Sequence, residues 1–88
     1  MKNKKLYISE NCVSEKLDDE LFILDLKSGF YHSLNETGSF IWNEISETNP
    51  SYEKLKNLLS QKYIGESILK DFDLFLEELK EKKLICLK

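Results

Sequence analysis

Few side chains in this sequence are of types and at spacings that could do chemistry. His32 is the sole histidine, flanked by Tyr31 and Ser33. A histidine beside a serine suggests a base and a nucleophile. Adjacent residues of an extended strand point to opposite faces, however, so these two cannot pair locally. His32 is read instead as a partly exposed strand residue. Cys12 and Cys86 lie near opposite ends of the chain, without C-x-x-C or His-paired spacing, and read as buried or edge thiols rather than metal ligands or a disulfide. Carboxylates are numerous but fall at solvated helix positions, and nothing marks Asp25 and Glu36 as an acid and base pair. There is no glycine-rich phosphate loop. Neither a metal, a cofactor nor catalysis is expected, which leaves binding.

Composition narrows the binding partner. The chain has 88 residues, 41% apolar and 33% charged, with a formal net charge of -3. That describes one domain, spanning 1–88 with its core over about 12–87. A chain of this size buries roughly 60 to 65% of its unfolded surface, enough for a modest core but not for a deep catalytic cavity. A pI near 5.2 argues against non-specific nucleic-acid binding, which depends on a basic face neutralising phosphates. No apolar run approaches the roughly 18 residues of a membrane span, and no signal-peptide core follows residues 1–5. A cytoplasmic protein with no membrane partner is expected.

The elements that must position a binding site are organised around residues 25–42, DLKSGFYHSLNETGSFIW. Residues 2–5 are a short basic start. Residues 6–8 and 12–17 are both extended candidates for the first strand, the second lying nearer its partner, and Asp18-Asp19 signals a turn. Residues 20–26, ELFILDL, are apolar on both faces, as in a central strand. A three-residue connection ending in Gly29 leads to the return strand 30–34, an edge strand in the order of a meander. Asn35 is a good N-cap for a helix over about 36–45, with Glu36 at its positive end. Gly38 in the first turn would permit close approach of another backbone. Pro50 opens a second helix or ends the loop before a Ser51 cap, and that helix runs to about Tyr63, stopped by Ile64-Gly65.

The third helix runs from Glu66 or Ser67 to about Lys82. Ile68, Leu69, Phe72, Phe75, Leu76 and Leu79 form its core stripe at roughly 100° per residue. Leu74 falls outside that stripe, on a face with Ser67, Asp71 and Glu78. Such a face is either ordinary solvated surface or one wall of a groove with an apolar floor and an acidic rim. Residues 84–87 close the sequence as an apolar tail that could pack on the core.

Three strands followed by three helices give an α+β, winged helix-turn-helix-like domain, a three-stranded antiparallel sheet before a three-helix bundle. A DNA-binding transcription regulator is the usual guess for that topology. The third helix is acidic through most of its length, and the chain has no arginine to make the commonest guanine contact. The DNA reading is therefore the alternative.

Residues 25–38, Asp25-Leu26-Lys27-Ser28-Gly29-Phe30-Tyr31-His32-Ser33-Leu34-Asn35-Glu36-Thr37-Gly38, continued by Ile41-Trp42, resemble the D-L-x-[ST]-G-x-Y-x-x-L-N-x-x-G pattern of the PqqD-like family, the RiPP recognition elements. Asp71-Phe72, Phe75-Leu76, Leu79 and Leu84-Ile85 are similar to a second family pattern, departing from it at Lys83, where glycine is usual. Together these matches cover about residues 13–85.

The resemblance implies a non-catalytic domain that captures the leader segment of a ribosomally made precursor peptide. The leader would add as a strand along residues 30–34 and lie in a groove against the helix 66–82. The implied contacts are Phe30, Tyr31, His32, Ser33 and Leu34 on the strand, and Ser67, Lys70, Asp71, Leu74 and Glu78 on the helix. Asp71 and Glu78 would favour a basic leader residue and Lys70 an acidic one. Read as standing without a fused enzyme, the chain looks most like the discrete members of lasso-peptide pathways, which act with a separate leader peptidase. Discrete members also serve radical-SAM enzymes in quinone-cofactor and sactipeptide pathways, and both alternatives stay open. An exposed edge strand could also pair with its own copy, giving a homodimer.

Overall fold

The computed structural model describes residues 4–18, 20–63 and 66–88. Expectations placed on residues 1–3, on Asp19 and on Ile64-Gly65 lie outside these residues. The elements are β1 (Leu6–Ile8), β2 (Cys12–Leu17), β3 (Glu20–Asp25), β4 (Tyr31–Leu34), α1 (Glu36–Thr48), α2 (Tyr52–Lys62), α3 (Glu66–Glu81) and β5 (Ile85–Leu87). This is the expected α+β order of a three-stranded antiparallel sheet, β2-β3-β4, followed by three helices.

β3 is central because it is apolar on both faces. Its inward residues Leu21 and Ile23 are buried, while Phe22 and Leu24 on the other face are half-buried. Register sets Leu21 opposite Leu34 and Leu24 opposite Tyr31. Ile23, Leu34, Ile41, Trp42, Leu55, Leu59 and Phe72 join one core between the sheet and the helices. Each such side chain contributes roughly 1.5 to 3 kcal/mol on burial.

The β3–β4 connection differs from the three residues expected. The Asp25 N–H donates to Phe30 O at 3.0 Å and the Gly29 N–H to Asp25 O at 2.7 Å, so Leu26 to Gly29 form a four-residue loop. The Leu26 N–H still donates to Asn11 O at 2.8 Å, continuing the β2–β3 register by one residue beyond the Cys12–Asp25 pair. Phe30 falls just outside β4 because its N–H is drawn to Ser28 Oγ at 3.3 Å. Gly29 has φ 80°, the left-handed conformation the sequence anticipates.

Asn35 caps α1, accepting the Gly38 N–H on Oδ1 at 2.8 Å. The helix runs three residues past the expected Ile45 because Asn49, at φ 48°, closes it with its N–H on Ile45 O. Ser51 caps α2, accepting the Lys54 N–H at 3.2 Å, so Pro50 ends the preceding loop. The end of α3 also resolves in detail. The Lys83 N–H reaches Lys80 O at 3.1 Å and the Leu84 N–H reaches Leu79 O at 2.9 Å, the paired bonds of a Schellman cap. Lys83 takes the left-handed position at φ 60°, so lysine does here what the family's glycine would do.

The tail over 84–87 packs on the core as expected, with Leu84 and Ile85 buried, and it does more: β5 pairs antiparallel with β1, Leu6 opposite Leu87 and Ile8 opposite Ile85. Residues 6–8 therefore belong to a separate two-stranded sheet, and β2 alone is the first strand of the meander. Gly38 admits a side chain rather than a backbone, since a Cβ there would stand 3.3 Å from the ring of Phe75 and 3.2 Å from Asn35 Oδ1.

Candidate functional site

β4 is an edge of its sheet, and alternation decides which of its backbone groups are spare. Asp25 bonds to Phe30, so the residues of β4 that bond to β3 are the even-numbered His32 and Leu34. Tyr31 and Ser33 turn their N–H and C=O groups to the open side. These are the groups an added strand would use.

Opposite this edge stands α3. Two adjoining depressions, of about 360 and 310 Å³, share Asn35, Phe75 and Glu78 and together form a groove. One half lies between β4 and the C-terminal part of α3, lined by His32, Ser33, Leu34, Leu79 and Lys82. The other half lies between the start of α1 and the middle of α3, lined by Thr37, Ile41, Ile68, Asp71 and Leu74. The floor is apolar. Asp71 and Glu78 supply negative charge, and Lys82 a positive charge at one end. Leu74 is 64% exposed at the rim, on the face where the helical spacing sets it apart from the core stripe.

α3 is held in this rotation from its other side. The Tyr52 hydroxyl donates to Asp73 and accepts from Lys56 Nζ at 3.3 Å. The ring of Tyr52 stacks on Phe72 with centroids 5.5 Å apart. Burial, then the bond to Asp73, push the Tyr52 hydroxyl pKa up, so it stays a protonated donor.

The edge strand is set by the loop before it. Asp25 accepts the Ser28 hydroxyl at 2.9 Å and the Lys27 N–H at 3.0 Å. These bonds, the Ser28 hydroxyl foremost, hold the Asp25 carboxyl below its ordinary pKa. Asp25 thus closes a turn. Cys12 and Cys86 are free thiols. Burial, followed by the charge of Asp25, raises the Cys12 pKa, and its Sγ–H points to Leu84 O at 3.8 Å. Among the described residues no cluster of His, Cys, Asp and Glu could hold a metal ion, and no helix is long and apolar enough to cross a membrane.

Of the residues singled out in the sequence, His32, Ser33, Leu34, Asp71, Leu74 and Glu78 come together around the groove. Ser67 and Lys70 are exposed on α3 and do not line it. Phe30 and Tyr31 are 68% and 69% exposed at the start of the strand, and Tyr31 points to the outer face of the sheet. Thr37, Ile41, Ile68 and Lys82 line the groove without having been singled out for it. For Lys82 a signal was present: at roughly 100° per residue it lies about 80° from Leu74, beyond Glu78 and Asp71, whereas Lys70 lies on Leu74's other side.

The family described as coenzyme PQQ synthesis protein D (PqqD) matches residues 20–85. A solved structure described as TbiB1 in complex with the TbiA(beta) leader peptide is similar, at 31% identity and a TM-score of 0.78, over 90% of this chain and 93% of that one. No curated protein matches the chain. The family match takes in β3, β4 and all three helices, and therefore both walls of the groove: the chain belongs to the PqqD family.

Proposed function

We propose that this domain binds the leader segment of a ribosomally made precursor peptide, by strand addition to β4 in the groove against α3, and delivers it to a leader peptidase or other modifying enzyme without itself catalysing a reaction. The observation that carries the reading is the juxtaposition of an unpaired strand edge with an apolar-floored groove. The edge supplies sequence-independent backbone bonds, and the groove supplies selection by side chain. The similar TbiB1 structure, described with a leader peptide bound, supports the same reading.

Magnitudes are consistent with useful affinity. Four or five added backbone hydrogen bonds at roughly 0.5 to 1.5 kcal/mol each, with two buried anchors at about 1.5 to 3 kcal/mol each, give on the order of 5 to 13 kcal/mol gross. Ordering the leader removes several of these. Micromolar to nanomolar binding is expected. Asp71 and Glu78 select a basic leader side chain, and Lys82 an acidic one at the other end.

The test is amide NMR shift mapping during titration with synthetic leader segments of precursor peptides encoded beside this gene. Shifts concentrated on Tyr31 to Leu34 and on the groove face of α3 are expected. A folded domain that responds to none of the segments would overturn the proposal. Mixing the bound pair with candidate leader peptidases and radical-SAM enzymes then identifies the recipient by which of them forms a ternary complex.

A further inference from the structure

The outer face of the main sheet carries apolar side chains that the groove does not use. Val13 is 50% exposed and Tyr31 69% exposed, with Leu24 half-buried between them. Register puts the three in one line across the strands, Val13 opposite Leu24 and Leu24 opposite Tyr31. Together with Phe22 they border one shallow depression on this face. Cross-strand neighbours on one face are the pairs through which a sheet gains packing. This row stops at Tyr31, on the open edge, where the aromatic ring has a strand neighbour on one flank only. Tyr31 is also one of the two residues whose backbone groups turn to that edge.

We infer that the added peptide strand is read on both of its faces, and that it carries an apolar or aromatic side chain beside Tyr31, extending the row Val13–Leu24–Tyr31 by one strand. The inference rests on the leader-binding reading and adds a chemical requirement to it. In either strand direction, the peptide residue paired with Tyr31 shares its face of the sheet. The residues on either side of it point the opposite way, toward Phe75, Glu78 and Leu79. A leader read only in the groove needs apolar side chains at alternate positions. One read on both faces needs apolar side chains at adjacent positions, and Tyr31 is the residue that imposes the second.

The experiment is a double-mutant cycle with the full chain and the synthetic precursor segment that binds it. Each position of the segment is replaced in turn by alanine, and each peptide is titrated against wild type, Tyr31→Ser, Tyr31→Phe and Leu74→Asp. Tyr31→Ser should weaken binding about two- to fivefold, the range of a cross-strand pair, while Tyr31→Phe retains it. One apolar peptide position should lose its sensitivity to alanine in Tyr31→Ser alone. That position should be odd in spacing relative to those coupled to Leu74. Tyr31 is exposed, so an unchanged melting temperature controls for folding. Unchanged affinity in Tyr31→Ser, with weakened binding in Leu74→Asp, overturns the two-faced reading and leaves leader binding standing. If no segment binds the folded wild type, the leader reading itself falls, and this inference with it.

Discussion

The described residues form two sheets, and β1 of one and β4 of the other treat their open sides in opposite ways. In the small sheet the open side of β1 is consumed by the α1–α2 connection: the Leu6 N–H donates to Pro50 O at 2.8 Å and Asn49 Nδ2 to Leu6 O at 3.3 Å. The ladder extends outward through Lys5 and Lys88, bonded both ways at 2.9 and 3.0 Å. In the main sheet the side of β4 facing α3 has no strand paired to it among the described residues. Edge strands are usually blunted or covered because they invite pairing. Here the β1 edge is sealed by a loop, and the β4 edge is set beside an apolar floor with charges at its rim. On the proposed reading, stability and recognition draw on different sheets, so they should separate under mutation.

Leu6→Ala should have the largest effect, because Leu6 is 1% exposed in the sealed sheet. Urea denaturation followed by Trp42 fluorescence is expected to lose about 2 to 5 kcal/mol. Leader binding measured at low temperature on the folded fraction should change little. Leu74→Asp reverses the pattern. Being at the open rim, it should alter stability by no more than about 0.5 kcal/mol, yet weaken leader binding by about tenfold, since it sets a charge against an apolar anchor. A large stability loss in that variant would erase the proposed division between the sheets.

Two left-handed positions sharpen the same comparison. Gly29 precedes the open edge at φ 80°, with nothing within 4 Å of a Cβ built there, so the cost of Gly29→Ala is purely conformational. It should destabilise by about 1 to 2 kcal/mol. Lys83 precedes the sealed sheet at φ 60°, and Lys83→Gly should stabilise by about 0.5 to 1 kcal/mol, seen as a higher urea midpoint at unchanged slope. The smallest effect concerns Asp25. Its folded pKa is depressed, so its contribution is present above the ordinary aspartate value and is lost as pH falls through the lower folded value. Wild type should therefore exceed Asp25→Asn in melting temperature at pH 7, and the gap should close as acidification carries the pH through and below the ordinary aspartate range. A gap that is constant with pH would mean that the charge of Asp25 plays no part in the turn.

The meander and the helices were legible because their signals are local. The continuous apolar run in residues 21–24, glycine at 29, the Asn35 and Ser51 caps and the stripe on α3 each operate within a few residues. The pairing of β1 with β5 was not legible, since two three-residue segments at opposite ends of the sequence carry no mutual signal, and lysine at 83 hid the left-handed cap that delivers β5. In the candidate site, Leu74, Asp71 and Glu78 stood out as a face of a periodic helix. Thr37 and Ile41 did not, because their place in the groove depends on how α1 packs against α3 through Gly38 and Phe75.

The β1–β5 clasp also has a kinetic consequence. It joins Lys5 to Lys88, so its formation closes a loop containing nearly the whole chain, and the entropy of that closure is recovered only after the intervening elements have compacted. The clasp should be the last piece to assemble and the first to open. In stopped-flow measurements Leu6→Ala and Ile85→Val should accelerate unfolding while barely slowing refolding, whereas Ile23→Val, in the central strand of the meander, should slow refolding.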